Sequence, residues 1–439
     1  MSFIAKVGIA AQIAAYVDAH GPLTIGVAGA GQMGTDLVVQ LGIMPGVRLG
    51  GLSEKRTQLA REAVAMSGRD AGDVAMARDA SGVDAAIEAG KIAIVEDFAL
   101  LCAAGRIDVI IDATGNPNVG ALVALAAMRH GKHVVMLNVE ADVTIGRFLK
   151  SEAAKAGIVY TGAAGDEPAA TIELVGLAQS LGFDIVSAGK GKNNALNFAA
   201  TPDDFQEEAR LRNMNPRMLV EFVDGTKTMV EMTAVANATG LRPDVPGMHG
   251  PKASREDLAS VLCTKEDGGI LGEAGAVDYT IGKGVAPGVF VVVKPRHPRL
   301  VERMVDLHVG KGPCFALFRP FHLTSLETPL SAIAAARLKR PDMQPLDRPV
   351  AECAALAKRA LKVGDRLGRI GQYDYRGFCM RWEQAREAGA LPLGLAQDAR
   401  VLRPIAVGEK LTWDNCAPDE SLVITQLRRR LDQTDSAFF

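Results

Sequence analysis

Aromatic residues are scarce in this 439-residue chain, only 5% of positions. That argues against the stacked-base platforms of single-strand nucleic-acid binders. An excess of one charge sign is missing too: the formal net charge is −2, so no global positive field is available for a polyanion or an anionic membrane surface. The six cysteines, at 102, 263, 314, 353, 379 and 416, form no Cys-x-x-Cys pair. A zinc site or disulfide framework is therefore not expected, and a reducing compartment is the simplest setting. No apolar run reaches the roughly 18 residues that a membrane span needs. The opening "MSFIAKVGIAAQIAAYVDAHG" has neither a basic leader nor a small-residue cleavage site, so it reads as a surface helix and the protein as cytoplasmic.

What is present is a dinucleotide-binding pattern. "LTIGVAGAGQMGTDLVVQLG" places an apolar run, Leu23 to Ala28, directly before Gly29, Gly31 and Gly34. The first glycine makes a tight turn, the second admits a pyrophosphate to the backbone, and the third lets the helix pack on the strand. Gly29, Ala30, Gly31, Gln32, Met33 and Gly34 then present helix N–H groups to phosphate. The next strand ends in Ser53, Glu54, Lys55 and Arg56. Ser53, Lys55 and Arg56 suit a 2′-phosphate, which favours NADPH; the alternative is Glu54 reading the ribose hydroxyls of NAD. Further strands at 91–97, 107–115 and 132–138 alternate with helices, giving a doubly wound parallel sheet. Ligands on such sheets sit beyond the strands' carboxyl ends, so Thr114, Gly115, Asn116, Asn138 and Glu140 are expected near the nicotinamide.

The frame "GKHVVMLN" resembles homoserine dehydrogenases, which place a catalytic lysine after that Asn; here the position is Val139, so a different reaction is expected. Cations come later. "SAGKGKNNALN" (187–197) is read as a loop carrying Lys190, Lys192 and Asn193 toward an anion, the alternative being an exposed turn. "NATGLRPDVPGMHGP" adds Arg242 and His249, after a helix opened by a Thr228/Glu231 capping box and closed near Gly240. "LFRPFHLTSLETPLS" adds Arg319 and His322. Adjacent Asp166 and Glu167 either hold Mg²⁺ or Mn²⁺ or are favourable first-turn charges. Glu140 and Asp142 divide similarly between site and helix start.

Past a Pro/charge-rich stretch near 337–349, "ALKVGDRLGRIG" and "PIAVGEKLTWDN" repeat Val-Gly-acid-base-Leu 44 residues apart, read as strand, Gly turn, strand. These segments resemble the SAF module of sialic acid synthases. With "NVEADVT", "GKGKNNALN", "NATGLRPD" and "FRPFHLT" in one order, the whole chain resembles the deoxyxylulose phosphate reductoisomerase-like oxidoreductases. The resemblance implies NADPH, a divalent metal and conversion of 1-deoxy-D-xylulose 5-phosphate to 2-C-methyl-D-erythritol 4-phosphate. That family spaces its metal acids Asp-x-Glu, whereas here they are adjacent. The other readings are an NADP-dependent dehydrogenase of a branched sugar acid or hydroxy acid, and a cofactor-sensing protein without catalysis. The expected organisation is α/β: a Rossmann domain over 1–165, an α+β substrate and assembly domain over 166–345, and a β-rich domain over 346–439. The expected partners are a small phosphorylated sugar or sugar acid and a second copy of the chain.

Overall fold

The computed structural model describes residues 5–435. Its contacts divide the chain into two compact units. The first comprises Met1–Asn138, Phe148–Asp166 and Leu323–Gln344; the second comprises Val139–Arg147, Glu167–His322 and Pro345–Phe439. The chain thus re-enters the first unit near residue 323, and residues 346–439 share a unit with 167–322.

The first unit is a seven-stranded parallel sheet. Its strands are β1 (Leu23–Ala28), β2 (Val47–Ser53), β3 (Val74–Met76), β4 (Ile92–Val95), β5 (Val109–Asp112), β6 (His133–Met136) and β7 (Tyr160–Gly162). They lie in the order β3-β4-β2-β1-β5-β6-β7. The order reverses at β1, which pairs with β2 on one side and β5 on the other. Such a switch point opens a crevice at the strands' carboxyl ends. Helices cover the sheet, so its central strands are mostly apolar and buried rather than alternating. Ile25, Val27, Ile111 and Val135 are fully buried.

The second unit holds a mixed sheet of β8 (Asp184–Lys192), β9 (Arg242–Pro243), β10 (Ala276–Ile281), β11 (Val289–Lys294) and β12 (Phe315–Arg319). Their order is β12-β11-β8-β10-β9, which makes β8 central. Lys190 and Lys192 therefore lie in a strand, not in the loop expected from the sequence. The alternation of Gly and Lys there has a packing cause. A Cβ at Gly189 would stand 1.6 Å from the Asp278 carbonyl oxygen, and one at Gly191 would stand 1.9 Å from that of Val285. Glycine on one face admits the neighbouring backbone, and the lysines project from the other.

The helix after residue 225 runs Thr226–Thr239, with Gly225 as its N-cap and no side-chain cap. Thr228 and Glu231 are interior positions, so the expected capping box is not formed. The close at Gly240 is as expected: its left-handed φ of 85° lets its N–H reach the Ala236 carbonyl.

In the C-terminal segment, β13 (Ala351–Ala357) pairs antiparallel with β14 (Tyr375–Arg381), and β15 (Arg400–Val401) with β16 (Cys416–Ala417). The two repeats are Gly turns flanked by single bridging residues rather than by full strands. They face each other with matching bonds. Leu361 and Ile405 exchange N–H···O bonds of 2.9 and 3.1 Å; Gly364 N–H donates to Val401 and Gly408 N–H to Ala357. The acid in each repeat caps its own turn: Asp365 accepts from Lys362 N–H and Glu409 from Ala406 N–H.

Candidate active site

In the first unit the loop after β1 has the form its glycines require. Gly29 adopts φ 100°, and a Cβ there would press on the Ala113 carbonyl at 2.7 Å. A Cβ at Gly34 would stand 2.1 Å from the Gly29 oxygen, while one at Gly31 meets nothing within 4 Å. The space over Gly31 is open where a phosphate would approach the helix Gln32–Ile43, whose N-cap is Gly31. Ala30, Gln32 and Met33 belong to that loop and first turn.

At the end of β2 the Ser53 carbonyl accepts from Gly29 N–H. Glu54 turns back on the loop, accepting from Ala30 N–H (3.2 Å) with one oxygen and Arg56 N–H (3.1 Å) with the other. Lys55 and Arg56 are exposed.

Beyond β5, the Asp112 carboxylate accepts from Thr114 N–H and from the Asn138 amide, which also donates to the Asn116 carbonyl. Asn116 caps the helix Pro117–Arg129, and Gly115 supplies a left-handed φ of 61°. The Thr114 hydroxyl is buried with no hydrogen-bond partner among the described residues. An open cradle at Gly31 and an orphaned hydroxyl at Thr114 fit a dinucleotide along the carboxyl ends of β1 and β5. Val139 is buried, and Glu140 lies in the first turn of the helix Val139–Lys155, in a stretch belonging to the second unit.

In the second unit the Lys190 ammonium is held between two carboxylates. It donates to Glu167 Oε1 at 2.5 Å and also to Glu231. Glu167 opens the helix Glu167–Ser180, and Glu231 lies fully buried in Thr226–Thr239. His322 Nε2 is 3.3 Å from Glu167 Oε1, and the Lys227 ammonium is 3.3 Å from Glu231 Oε1. Burial alone would lower the Lys190 pKa; Glu167 and Glu231 more than reverse this and hold it above the ordinary lysine range.

Lys192, two residues on and equally buried, has different company. Its ammonium donates to the Phe222 carbonyl, and among the described residues no carboxylate stands within ion-pair distance. Burial, and then the charge of Lys190, lower its pKa to about 8.

The other expected residues divide. Arg319 pairs with Val289 of β11, which pairs with Lys190, so the two cations lie in one row across the sheet. Its guanidinium bridges to Glu173 at 3.0 Å. Arg242 is exposed on edge strand β9, paired opposite Ala276, whose partner on β8 is Ser187. His249 Nε2 binds Asp244 of its own loop at 2.7 Å, while Asp278 accepts the N–H groups of His249 and Gly250 and anchors that loop. Neither Arg242 nor His249 joins the lysines as the sequence led one to expect. Asn193 is exposed just past β8.

Sequence reasoning missed Glu231 and Lys227. Their signal was an i, i+4 acid–base pair in a helix with no other charged residue.

The divalent metal expected at Asp166 and Glu167 has a candidate third ligand in Glu231, the three buried carboxylates each offering an oxygen within 4.8 Å of the others. Asp166 is buried and ends its segment of the first unit. Glu167 already binds Lys190 and His322, and the carboxylate opposite, Glu231, binds Lys190 and Lys227. Lys190 lies between two of these three carboxylates, so a cation entering here would compete with its ammonium.

Residues 165–328 match the family described as "Oxidoreductase DRL, catalytic domain". Lys190, Lys192, Glu167, Glu231 and His322 all fall within that span. The protein is an oxidoreductase with a Rossmann-type parallel sheet in its first unit. No curated protein matches its sequence. Solved structures similar to it include a probable dehydrogenase from Thermotoga maritima, with 15% identity and TM-score 0.42 over 73% of this chain and 90% of that one. Another is the scyllo-inositol dehydrogenase of Lactobacillus casei with bound NAD(H) and scyllo-inositol, with 15% identity and TM-score 0.37 over 68% and 76%. Likeness at this level carries no information on substrate. Among the described residues, no helix is long and apolar enough to cross a membrane.

Proposed function

We propose that the protein transfers hydride between a nicotinamide dinucleotide and a carbonyl or carbinol carbon of a small anionic polyol, with Lys192 moving the proton. The observation that carries this reading is Lys192 itself, a buried ammonium whose hydrogen-bond partner among the described residues is a backbone carbonyl. Such a cation is costly to the fold unless a ligand oxygen uses it.

The nicotinamide, when bound, supplies or accepts the hydride. In the reductive direction Lys192 donates its proton to the substrate oxygen as the carbonyl becomes an alcohol; in the oxidative direction the neutral amine takes it back. A pKa of about 8 leaves both forms accessible near neutrality. Lys190, fixed by two carboxylates, is a positioning residue whose charge helps make Lys192 a proton donor. Arg319, bridged to Glu173, and the exposed Asn193 would meet an anionic or hydroxylated group of the substrate.

NADPH remains the preferred dinucleotide. Lys55 and Arg56 are exposed cations after β2, whereas both oxygens of Glu54 are engaged by backbone N–H groups. The finer reading is the isomerising reduction of 1-deoxy-D-xylulose 5-phosphate. It needs a cation near a ketone and its adjacent hydroxyl, which Lys192 could serve.

The test is NADPH oxidation by purified protein with 1-deoxy-D-xylulose 5-phosphate, branched sugar acids and simple hydroxy or keto acids. Turnover of the phosphorylated ketose supports the finer reading. Turnover of sugar acids alone removes it but keeps the class. Lys192→Met should cut kcat by about 10²–10⁴-fold; an unchanged kcat in that variant would refute the assigned role.

A further inference from the structure

We propose that Arg376, on β14 of the C-terminal segment, holds the charged oxyanion of the substrate, a phosphate or a carboxylate. Part of the site then comes from outside residues 165–328, which match the oxidoreductase catalytic domain. The inference rests on the reading of Lys192 as proton carrier for a small anionic polyol, and names the residue that takes the anion. The Arg376 guanidinium is half-buried and lies 3.9 Å from the ring centroid of Phe198 and 5.9 Å from that of Phe378. Such stacking fixes the plane of the fork. Arg376 donates to the Gly377 carbonyl at 3.3 Å, and among the described residues no carboxylate stands within ion-pair distance of it. Burial lowers its pKa from the ordinary arginine value, against the opposing influence of Asp224 and Tyr279. A guanidinium partly withdrawn from water without a counter-charge is costly, and an oxyanion seated on its fork removes that cost.

One turn, at 222–226, links this arginine to Lys192. The Lys192 ammonium donates to the Phe222 carbonyl. At the other end of the turn, Gly377 N–H, next to Arg376, donates to the Thr226 hydroxyl at 3.0 Å. A Cβ at Gly225 would stand 3.8 Å from the Phe198 ring. The carboxylates whose charge reaches the two cations are Asp224 for both and Glu231 for Lys192. Each is already bound by another lysine: Asp224 by Lys358 at 3.0 Å, and Glu231 by Lys190 and Lys227. Glu221, in the helix that precedes the turn, bridges to Arg217 at 3.3 Å. Tyr279 of β10, paired with Lys190 across the sheet, is buried near enough to Arg376 for each to act on the other's ionisation. Its hydroxyl makes no hydrogen bond among the described residues. Burial, then Asp278, push its pKa up to about 12, so it keeps its proton and remains a donor. Arg319 has Glu173 for a counter-charge and Arg376 has none. The charged end of the substrate therefore belongs to Arg376, which leaves Arg319 and Asn193 to its hydroxyl groups.

The test separates anion binding from hydride transfer. Inorganic phosphate is titrated calorimetrically into the full-length wild type, R376M and R376K, with K55A/R56A as the control for phosphate at the nucleotide loop. The wild type should bind phosphate, and R376M should bind it about tenfold or more weakly. R376K should also bind more weakly than the wild type, because lysine keeps the charge and loses the planar fork. K55A/R56A should retain the component that R376M loses. A wild type that binds no phosphate, or titrations equal in the wild type and the folded Arg376 variants, overturns the proposal; should R376M not fold, R376K alone decides. With a phosphorylated ketose or sugar acid that supports NADPH oxidation, R376M should raise KM about tenfold or more with kcat little changed, whereas K192M lowers kcat. A fall in kcat with KM unchanged in R376M overturns the proposal too. Phosphate binding that depends on Arg376, without turnover of any substrate, keeps the anion site and removes the hydride-transfer reading. Phosphate binding indifferent to Arg376, beside turnover that K192M abolishes, does the reverse.

Discussion

Lys190 and Lys192 project from the same face of β8, two residues apart, yet only Lys190 meets carboxylates, while Lys192 ends on the Phe222 carbonyl. One strand thus carries a cation locked by its partners and a cation left to a ligand. Strand periodicity puts them side by side, and the placement of Glu167 and Glu231 separates their chemistry. The charge of Lys190 then acts on its neighbour, adding to burial in lowering the pKa of Lys192.

That depressed pKa makes a signed prediction for stability. The folded value is about 8, against 10.5 for an ordinary lysine. Below pH 8 both folded and unfolded chains hold the proton, and the folded state bears the full cost of the buried charge. Between about 8 and 10.5 the folded chain releases it while the unfolded chain keeps it, so the unfolded state binds more protons and stability rises with pH. The rise from this group is at most about 3 kcal/mol. Lys192→Met should be more stable than the wild type at pH 7 and should flatten that rise. Urea denaturation at a series of pH values measures it; a wild-type curve that does not rise relative to K192M across this window would count against the lowered pKa.

Glu231 is the more critical member of the ion cluster for the fold. Its side chain is fully buried and serves both Lys190 and Lys227. Glu231→Ala removes the charge and leaves the buried Lys190 with one carboxylate, a change expected to cost about 3–5 kcal/mol. Glu173→Ala is the control: Glu173 is 70% exposed, and its bridge to Arg319 should contribute about 1 kcal/mol or less. Denaturant midpoints of the two variants should therefore be well separated.

Much of the first unit was legible because its signals are local. The run from Leu23, the three glycines and the Asn116-Pro117 helix start each express a short-range steric demand, and each stands where that demand places it. The second unit was harder to read. "GKGK" has the composition of a turn, but its glycines answer to the backbone of Asp278 and Val285, far along the chain. Thr228 and Glu231 match a capping box by spacing, but the helix begins at Thr226 and buries both. The role of Glu231 depends on a lysine 41 residues away, a relationship no local pattern carries. Arg242 and His249 looked like site residues by type alone, and tertiary structure gave one to solvent and the other to Asp244.

The nucleotide preference is testable at β2. Lys55 and Arg56 are exposed, and the Arg56 side chain is 80% accessible. Replacing both with Ala should weaken NADPH by about tenfold or more while leaving NADH nearly unchanged, since only the former carries a 2′-phosphate. Glu54→Gln should act in the opposite sense, improving NADPH by removing a nearby negative charge. Equilibrium titration by nicotinamide fluorescence gives both constants; equal losses for the two dinucleotides in the Lys55/Arg56 variant would mean that these cations do not read the 2′ position.

The paired repeats of the C-terminal segment supply a prediction that needs no ligand. Gly364 and Gly408 occupy the third place of four-residue turns, 362–365 and 406–409, with φ of 91° and 79°. That place in a turn calls for positive φ, which glycine adopts without strain. A Cβ at either residue would meet nothing within 4 Å, so an alanine there is opposed by backbone conformation alone and not by crowding. The left-handed backbone costs an L-residue about 1–2 kcal/mol, and the stiffer unfolded chain returns part of it. Gly364→Ala and Gly408→Ala should each destabilise by about 1 kcal/mol, and by nearly the same amount, because each turn is capped by its own acid and sends its glycine N–H to a carbonyl in the corresponding position beside the other repeat. Equal shifts in thermal midpoint for the two single variants, with additive loss in the double, would establish that the repeats are physically equivalent. A large shift in one alone would show that its turn answers to contacts its counterpart lacks.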